Sequence, residues 1–401
     1  MPKVSFETCI VLIIVSIVLV GCATTNLPSF KETEQIRLQD DETRIWNRSK
    51  EEQGRLDSSQ YLYHDQILTD YVNQIAQNLV PKDLADKGFR IEIKILKNPQ
   101  LNAFAYPNGV IYVHTGILCK MENEAQLAAL LGHEMTHVTH RHAIENFRGI
   151  KNTTAVLSTL QLVTLPLGVY GDLASILGSV GAMAAVSGYS KESEREADRE
   201  GLQLMLNAGY DPREAPRLFE HLQQDIKEQE ISEPYFFGSH PRLQERIDNY
   251  KRFLQDMPGD SNGVKNEERF CTHTTPLLLE NAVLDLAMGR FQSGQRGIEA
   301  YLKRNPDDPR AFYWLGETYR QRNAEGDIDK AVRQYETALA CDEGLPQPYK
   351  ALGLIYYKQC RYEKARAYIE RYIQLAPDAG DRGYMEQYIE TMDKQKKGGR
   401  I

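Results

Sequence analysis

The 401-residue chain is expected to fold as a mainly helical α+β domain with a small antiparallel sheet, followed by a second domain made only of helices. Three observations predict this. Short alternating stretches around an Asn-Gly turn stand between longer stretches of helical periodicity. A helix candidate dense in histidine, LGHEMTHVTHRH at Leu131–His142, follows soon after that turn. The last third repeats a pattern of aromatic, Leu-Gly and Tyr residues, as stacked helix pairs do. The length allows two or three domains, each with its own core.

The formal net charge of -8 argues against a nucleic-acid partner, because no basic field is available to hold phosphates. Charged residues make up 26% of the chain, which fits an ordinary solvated surface and not a disordered polyanion. At the amino end, Lys3 precedes an apolar run from Ile10 to Val20 interrupted only by Ser16. That run is too short for a comfortable spanning helix and matches the core of an export signal. It ends in Leu19-Val20-Gly21-Cys22, which resembles a bacterial lipobox. Residues 1–21 are then a signal peptide and Cys22 the lipidation site; the alternative is an uncleaved amino-terminal anchor. Either reading puts the rest of the chain outside the cytoplasm, on a membrane. By the sorting rule for such lipoproteins, Ala23 in place of Asp implies the periplasmic side of the outer membrane, with inner-membrane anchoring as the alternative.

Residues 22–57 read as a polar tether running into a helix, and residues 58–258 as the first folded domain. Tyr61 to Leu79 has helical periodicity, with Ile67, Leu68, Tyr71, Val72, Ile75 and Leu79 as its buried stripe. Arg90 to Leu96 alternates Ile91, Ile93 and Ile95 against polar neighbours, a half-buried strand. Residues 103–106 and 110–114 flank Pro107-Asn108-Gly109, whose Asn-Gly pair favours a tight hairpin. Glu122 to Ala143 is a helix candidate capped by Asn123, with Leu127, Leu130, Leu131, Met135 and Val138 on its apolar face. Residues 153–187 are apolar and carry Asp172 as their one charge; they suit a buried helix pair, or else a lid or a surface that dips into lipid. Another helix is expected from Ser190 through Leu206, stopped by Gly209 and Pro212.

After a linker near Gly259–Asn266, residues 267–395 form the second domain. Phe312–Tyr319 (FYWLGETY) and Tyr349–Tyr356 (YKALGLIY) align, and Ala331 and Ala365 follow them 34 residues apart. An insertion at Asn323–Asp327 lengthens the first unit, Pro377 closes the second, and a degenerate third covers Asn281–Pro306. This pattern resembles a tetratricopeptide repeat, whose concave face suits a protein partner. Setting aside Cys9 and Cys22 leaves Cys119, Cys271, Cys341 and Cys360. Their pairing is open, with Cys341 and Cys360 favoured as neighbours within one unit. None has the spacing of a thiolate metal knuckle.

His133-Glu134-Met135-Thr136-His137 carries the chemistry. On a helix, residues four apart share a face, so both imidazoles reach one ion while Glu134 stands beside it as general base. Two histidines supply two of the three protein ligands a catalytic zinc needs. His140 would have to reach past His137 to bind, and His142 points elsewhere, toward a hydrogen bond that holds the helix or the groups behind the metal ligands. A third histidine ligand of the metzincin kind is excluded, since residue 143 is Ala143 and no glycine stands at 140. A carboxylate is needed, and Glu192, Glu194, Glu196, Asp198 and Glu200 are on offer. Glu194 and Asp198 share a face, so one can bind the metal while the other orients a histidine; Glu196 faces another side. The bland alternative is a solvated charge run paired with Arg195 and Arg199.

Four stretches resemble one family: Asn102-Ala103-Phe104-Ala105 with Gly109; His133-Glu134-x-x-His137-Val138 with Arg141-His142; Glu194-x-Glu196-Ala197-Asp198-x-x-Gly201; and His240-Pro241 with Arg246-Ile247. The family is the M48 group of membrane-associated zinc metallopeptidases, in particular the bacterial periplasmic members that join the protease to tetratricopeptide repeats. The resemblance implies a zincin-like metallopeptidase fold and one zinc ion (Zn2+) per chain. It also implies His133, His137 and Glu194 as ligands, Glu134 as base, and Asp198 behind a ligand histidine. Asn102, Ala103, Phe104 and Ala105 become the edge strand that binds an extended substrate, while His240 and Arg246 become additional active-site residues. Two roles stay open for His240: stabilising charge in the tetrahedral intermediate, or occupying the metal's open position at rest. The implied substrates are unfolded or stalled envelope polypeptides, with the repeats recruiting clients or an outer-membrane assembly complex. A periplasmic chaperone dominated by its repeats, with a latent or secondary protease site, is the competing expectation. A scaffold with a decayed site is argued against by the intact His133, Glu134, His137 and Glu194.

Overall fold

The computed structural model describes residues 27–151, 176–186, 188–229, 243–257 and 263–397. Cys22, His240 and the proposed signal peptide lie outside the described residues, as does most of the apolar stretch 153–187.

The chain opens with α1 (Asp40–Asp57), α2 (Gln66–Leu79) and the short α3 (Lys82–Asp86). Three strands follow, β1 (Glu92–Leu96), β2 (Ala103–Ala105) and β3 (Val110–His114), then a one-turn helix α4 (Thr115–Leu118). The helices α5 (Glu124–Thr139), α6 (His142–Lys151), α7 (Ser179–Val186), α8 (Lys191–Asn207), α9 (Glu214–Gln229) and α10 (Leu243–Gln255) complete the first half. Gly109 at φ 92° closes the β2–β3 hairpin, the conformation that its Asn-Gly turn favours.

The hairpin pairs antiparallel as expected, but β1 lies parallel to β3, so the sheet is mixed with order β1-β3-β2. Its strand alternation sorts two faces. Ile93, Ile95, Ala103, Ala105, Ile111 and Val113 join the main core with α2 and α5. Phe104, Tyr106, Val110 and Tyr112 pack on the other side against Leu56 of α1 and Val180, Ala184 and Ala185 of α7. The described end of the apolar stretch is thus a helix packed on protein. The α2 stripe is buried except for Ile67, which is 74% exposed at the second residue of a helix that starts at Gln66.

The second half is a run of antiparallel helices: α11 (Glu267–Ala287), α12 (Phe291–Leu302), α13 (Pro309–Arg322), α14 (Asp327–Cys341), α15 (Pro346–Lys358), α16 (Tyr362–Leu375) and α17 (Arg382–Lys397). The repeated Leu-Gly pairs mark tight crossings. A methyl on Gly316 would stand 2.5 Å from the Tyr335 ring, and one on Gly353 2.6 Å from Ile369. Cys341 and Cys360 are separate exposed thiols, and Cys119 and Cys271 are free as well. The expected preference for a Cys341–Cys360 link is therefore not realised. The first pair is joined to the first half: Thr115 Oγ1 donates to Asn281 Oδ1 at 2.8 Å, and the Tyr71 and His273 rings stack at 3.9 Å. Among the described residues, no helix is long and apolar enough to cross a membrane.

Candidate metal centre

The site is built on α5 and α8. Asn123 caps α5, its side chain accepting from Gln126 N at 3.0 Å, and Ser190 caps α8, accepting from Ser193 N at 3.1 Å. The α5 helix is buried on every side, as a central helix of a domain is. It crosses α8 where Gly132 meets Gly201; a methyl on either would stand 2.7 Å from the other helix's backbone. That close approach brings Glu194, near the start of α8, up to the two histidines of α5.

The result is a compact donor set. His133 Nε2 and His137 Nε2 are 3.1 Å apart, and Glu194 oxygens stand 3.6 Å from the first and 3.4 Å from the second. Ligands held ~2.0–2.2 Å from one tetrahedral ion stand roughly 3.3–3.6 Å from each other. The Glu194 contacts fall in that range and the two imidazole nitrogens stand slightly closer, so the spacing is near that of a zinc site, and His133, His137 and Glu194 are all buried. Two imidazoles and a carboxylate are also the donor chemistry of a catalytic zinc with an open position. Glu134, 1% exposed, lies on the same helix between the two ligand histidines.

Each ligand histidine is backed by a different group. His133 Nδ1 is 3.0 Å from Asp198 Oδ1, a fully buried carboxylate oxygen that also accepts from Arg246 at 2.7 and 3.0 Å and from the Tyr250 hydroxyl at 2.9 Å. Burial pushes the Asp198 carboxyl above its ordinary value, while Arg246 and Tyr250 pull it down. Burial works against the Arg246 charge, but Asp198 outweighs it and holds the guanidinium firmly protonated. His137 Nδ1 faces His142 Nδ1 at 2.9 Å, and the Tyr189 ring stacks on its face with centroids 3.9 Å apart. Burial, then the field of the negative charges of Glu134 and Glu194, raises the Tyr189 hydroxyl well above its usual range.

Asp198 stands behind His133. Arg246, expected as an additional active-site residue, is 2% exposed, bonded to Asp198, and its guanidinium lies over the Phe219 ring at 4.1 Å. It also borders a cavity of about 70 Å³ that reaches Glu194 and Tyr189. His140 is the C-cap of α5, with Nδ1 3.2 Å from Thr136 O and no place in the donor set.

Asn102, Ala103, Phe104 and Ala105 form the sheet edge beside α5, yet all are at most 3% exposed. Phe104 is a core residue, its ring 5.5 Å from Tyr112 and 6.0 Å from His114. Asn102 O and Tyr106 N bond to β3, so alternation turns the backbone groups of Ala103 and Ala105 outward, away from β3.

Three contributors escaped sequence reasoning. Tyr189 and Tyr250 left no pattern to read, and Glu196, placed on another side of α8, reaches His142 at 3.1 Å. The helix expected to run to Ala143 stops at Thr139, because Arg141 adopts φ 62° and α6 starts anew at His142. That break turns His142 back toward His137. Arg141 is held in this conformation by Glu42, by the Pro28 carbonyl at 3.2 Å and by its position over the Phe30 ring at 5.1 Å.

Comparison with known proteins agrees with this geometry. A model of peptidase family M48 matches residues 66–253, and tetratricopeptide-repeat models match residues 279–346 and 346–379. The chain is 31% identical over 221 residues to the mitochondrial metalloendopeptidase OMA1 of Schizosaccharomyces pombe, covering 55% of this chain and 60% of that protein. It is 27% identical over 207 residues to the beta-barrel assembly-enhancing protease of Escherichia coli, covering 51% of this chain and 42% of that one. With the OMA1 of Arabidopsis thaliana it shares 37% identity over 136 residues, 34% of this chain and 26% of the relative. The chain thus spans only part of the length of each relative.

Proposed function

We infer, because the chain carries an M48 peptidase domain followed by tetratricopeptide repeats, that it is a zinc-dependent endopeptidase acting on envelope polypeptides. The observation that carries this is the buried His133, His137 and Glu194 donor set with Glu134 beside it. When bound, one zinc per chain polarises the scissile carbonyl and acidifies water. Glu134 takes the proton from the attacking water and returns it to the leaving amine. Its position on the ligand helix gives the base a fixed relation to the metal point. Asp198, Arg246 and Tyr250 hold His133 in the orientation that presents Nε2 to the metal. Arg246 is accordingly read as a positioning residue. His240 is read as an active-site residue on its place in Ser239-His240-Pro241 alone.

The sheet edge offers the substrate a way to bind by backbone. Outward-turned groups of Ala103 and Ala105 suit an extended chain, which selects unfolded segments over a particular sequence. Polypeptides stalled on the way to the outer membrane are the substrates that the lipid anchor expected at Cys22 and the name of the Escherichia coli relative favour. The repeats then serve to recruit clients or an assembly complex. After dialysis against metal-free buffer and zinc loading, about one zinc per chain should remain. Chelation should stop cleavage of an unfolded outer-membrane polypeptide. A chain that holds zinc yet leaves such polypeptides intact, even as the His240→Ala variant, contradicts the reading.

A further inference from the structure

The two ligand histidines are not supported alike. His133 has the buried carboxylate of Asp198 at its Nδ1, 3.0 Å away, with the Arg246 guanidinium that Asp198 binds 2.8 Å from the same nitrogen. His137 has a second imidazole there: His142 Nδ1 at 2.9 Å, and beyond it Glu196 Oε2 lies 3.1 Å from His142 Nε2. A carboxylate only accepts, so the Glu196 end requires a proton on His142 Nε2. A contact of 2.9 Å between two Nδ1 atoms holds one proton, not two and not none. With Nε2 carrying the proton of a neutral His142, its Nδ1 is the acceptor and His137 Nδ1 the donor. The lone pair of His137 is then left on Nε2, the atom that faces His133 and Glu194.

We propose that Glu196, acting through His142, is a positioning residue that fixes the tautomer and ring orientation of His137 for metal binding. This rests on His137 being a zinc ligand. The chain Glu196–His142–His137 does for the second ligand what Asp198 does for the first, with one difference. Asp198 is fully buried and shared with Arg246 and Tyr250, whereas the Glu196 side chain is 39% exposed. Its other oxygen is 3.9 Å from His140 Nε2, beyond hydrogen-bond reach. Tyr189 holds the plane of the His137 ring by stacking. Without Glu196, nothing in this chain of contacts prefers one His142 tautomer, and the wrong one sets two N–H groups against each other.

Zinc affinity, read by competition with a chromophoric chelator, tests this apart from any peptidase activity. His142→Leu removes the acceptor and should weaken zinc binding on the order of 10–100-fold, as loss of such support does elsewhere. His142→Asn puts an amide oxygen where Nδ1 stood and should recover most of that loss. Glu196→Ala should weaken binding, while Glu196→Gln, which still accepts from His142 Nε2–H, should stay near the parent chain. The cobalt-substituted protein should show an altered visible spectrum in the Leu and Ala variants only. Because Glu196 is partly exposed, its variants stay informative even if His142→Leu folds poorly. Parental affinity and spectrum in Glu196→Ala would overturn the proposal. So would a His142→Asn variant as weak as His142→Leu. Parental affinity in His137→Ala would overturn the ligand reading on which it rests, and the proposal with it.

Discussion

Gly132 of α5 and Gly201 of α8 lie backbone against backbone, with room for no side chain on either. A methyl on Gly201 would stand 2.7 Å from His133 N, so it presses on the backbone of His133 and not on a flexible side chain. Gly201→Ala should therefore cost about 1–3 kcal/mol through overpacking and push α8 away from α5. Glu194 moves with α8, so zinc retention should fall as well. Thermal unfolding with and without zinc checks this; parental stability together with full zinc retention would mean the crossing is not what positions Glu194.

Asp198 and Tyr250 should separate a buried charge from a neutral hydrogen bond. Asp198→Ala strands the Arg246 charge, 2% exposed, and should cost about 3–5 kcal/mol besides loosening His133. Tyr250→Phe removes one hydroxyl donor to the same oxygen and should cost about 1 kcal/mol. Denaturant melts of the two variants give the comparison. Equal costs would place the stabilisation in the hydrogen bonds and not in the ion pair.

Phe104 lies in the strand expected to meet substrate, but its ring is packed among Tyr106, Tyr112 and His114. Phe104→Ala should accordingly lower stability by about 3–5 kcal/mol, like other buried aromatic truncations. A raised KM at unchanged melting temperature would instead put the side chain in direct substrate contact.

Glu214 ties the start of α5 to the rest of the domain: it accepts from Asn123 at 2.8 Å, Gln126 at 3.0 Å and Lys265 at 2.7 Å. Burial pushes its carboxyl up, but these bonds outweigh burial and bring it from 4.5 down to about 2. A lowered folded value means the stabilisation is fully present above about 4.5 and is lost as pH falls toward 2. Glu214→Gln should therefore flatten the stability-against-pH curve within that window and change it little near neutrality in slope. A parental slope between pH 4.5 and 2 would remove Glu214 from the acid response.

Much of the site was legible because local spacing carries it. His133 and His137 must share a helix face, and Glu194 with Asp198 had to do the same, whatever the rest of the chain did. The Leu-Gly pairs likewise announced crossings that admit no larger residue at Gly316 and Gly353. What could not be read was set by contacts distant in sequence. The parallel pairing of β1 with β3 depends on where the hairpin docks, which alternation within a strand does not reveal. The turn at Arg141 depends on Glu42, about a hundred residues earlier. A helix drawn straight through that point sends His142 away from the metal, whereas the broken one brings it to His137. Glu196 does face another side of α8, but its partner lies on α6, which spacing along α8 does not reveal. Tyr189 offered neither period nor motif, only its place one residue before the Ser190 cap.

Glu134 as the general base is the centre of the proposed chemistry. In the zinc-loaded chain, Glu134→Gln keeps the shape and burial of the side chain while removing its capacity to take a proton. Cleavage of an unfolded outer-membrane polypeptide, followed at equal zinc content, should fall by a factor on the order of 10²–10⁴ relative to the parent chain. Cleavage by Glu134→Gln at the parental rate would contradict that role.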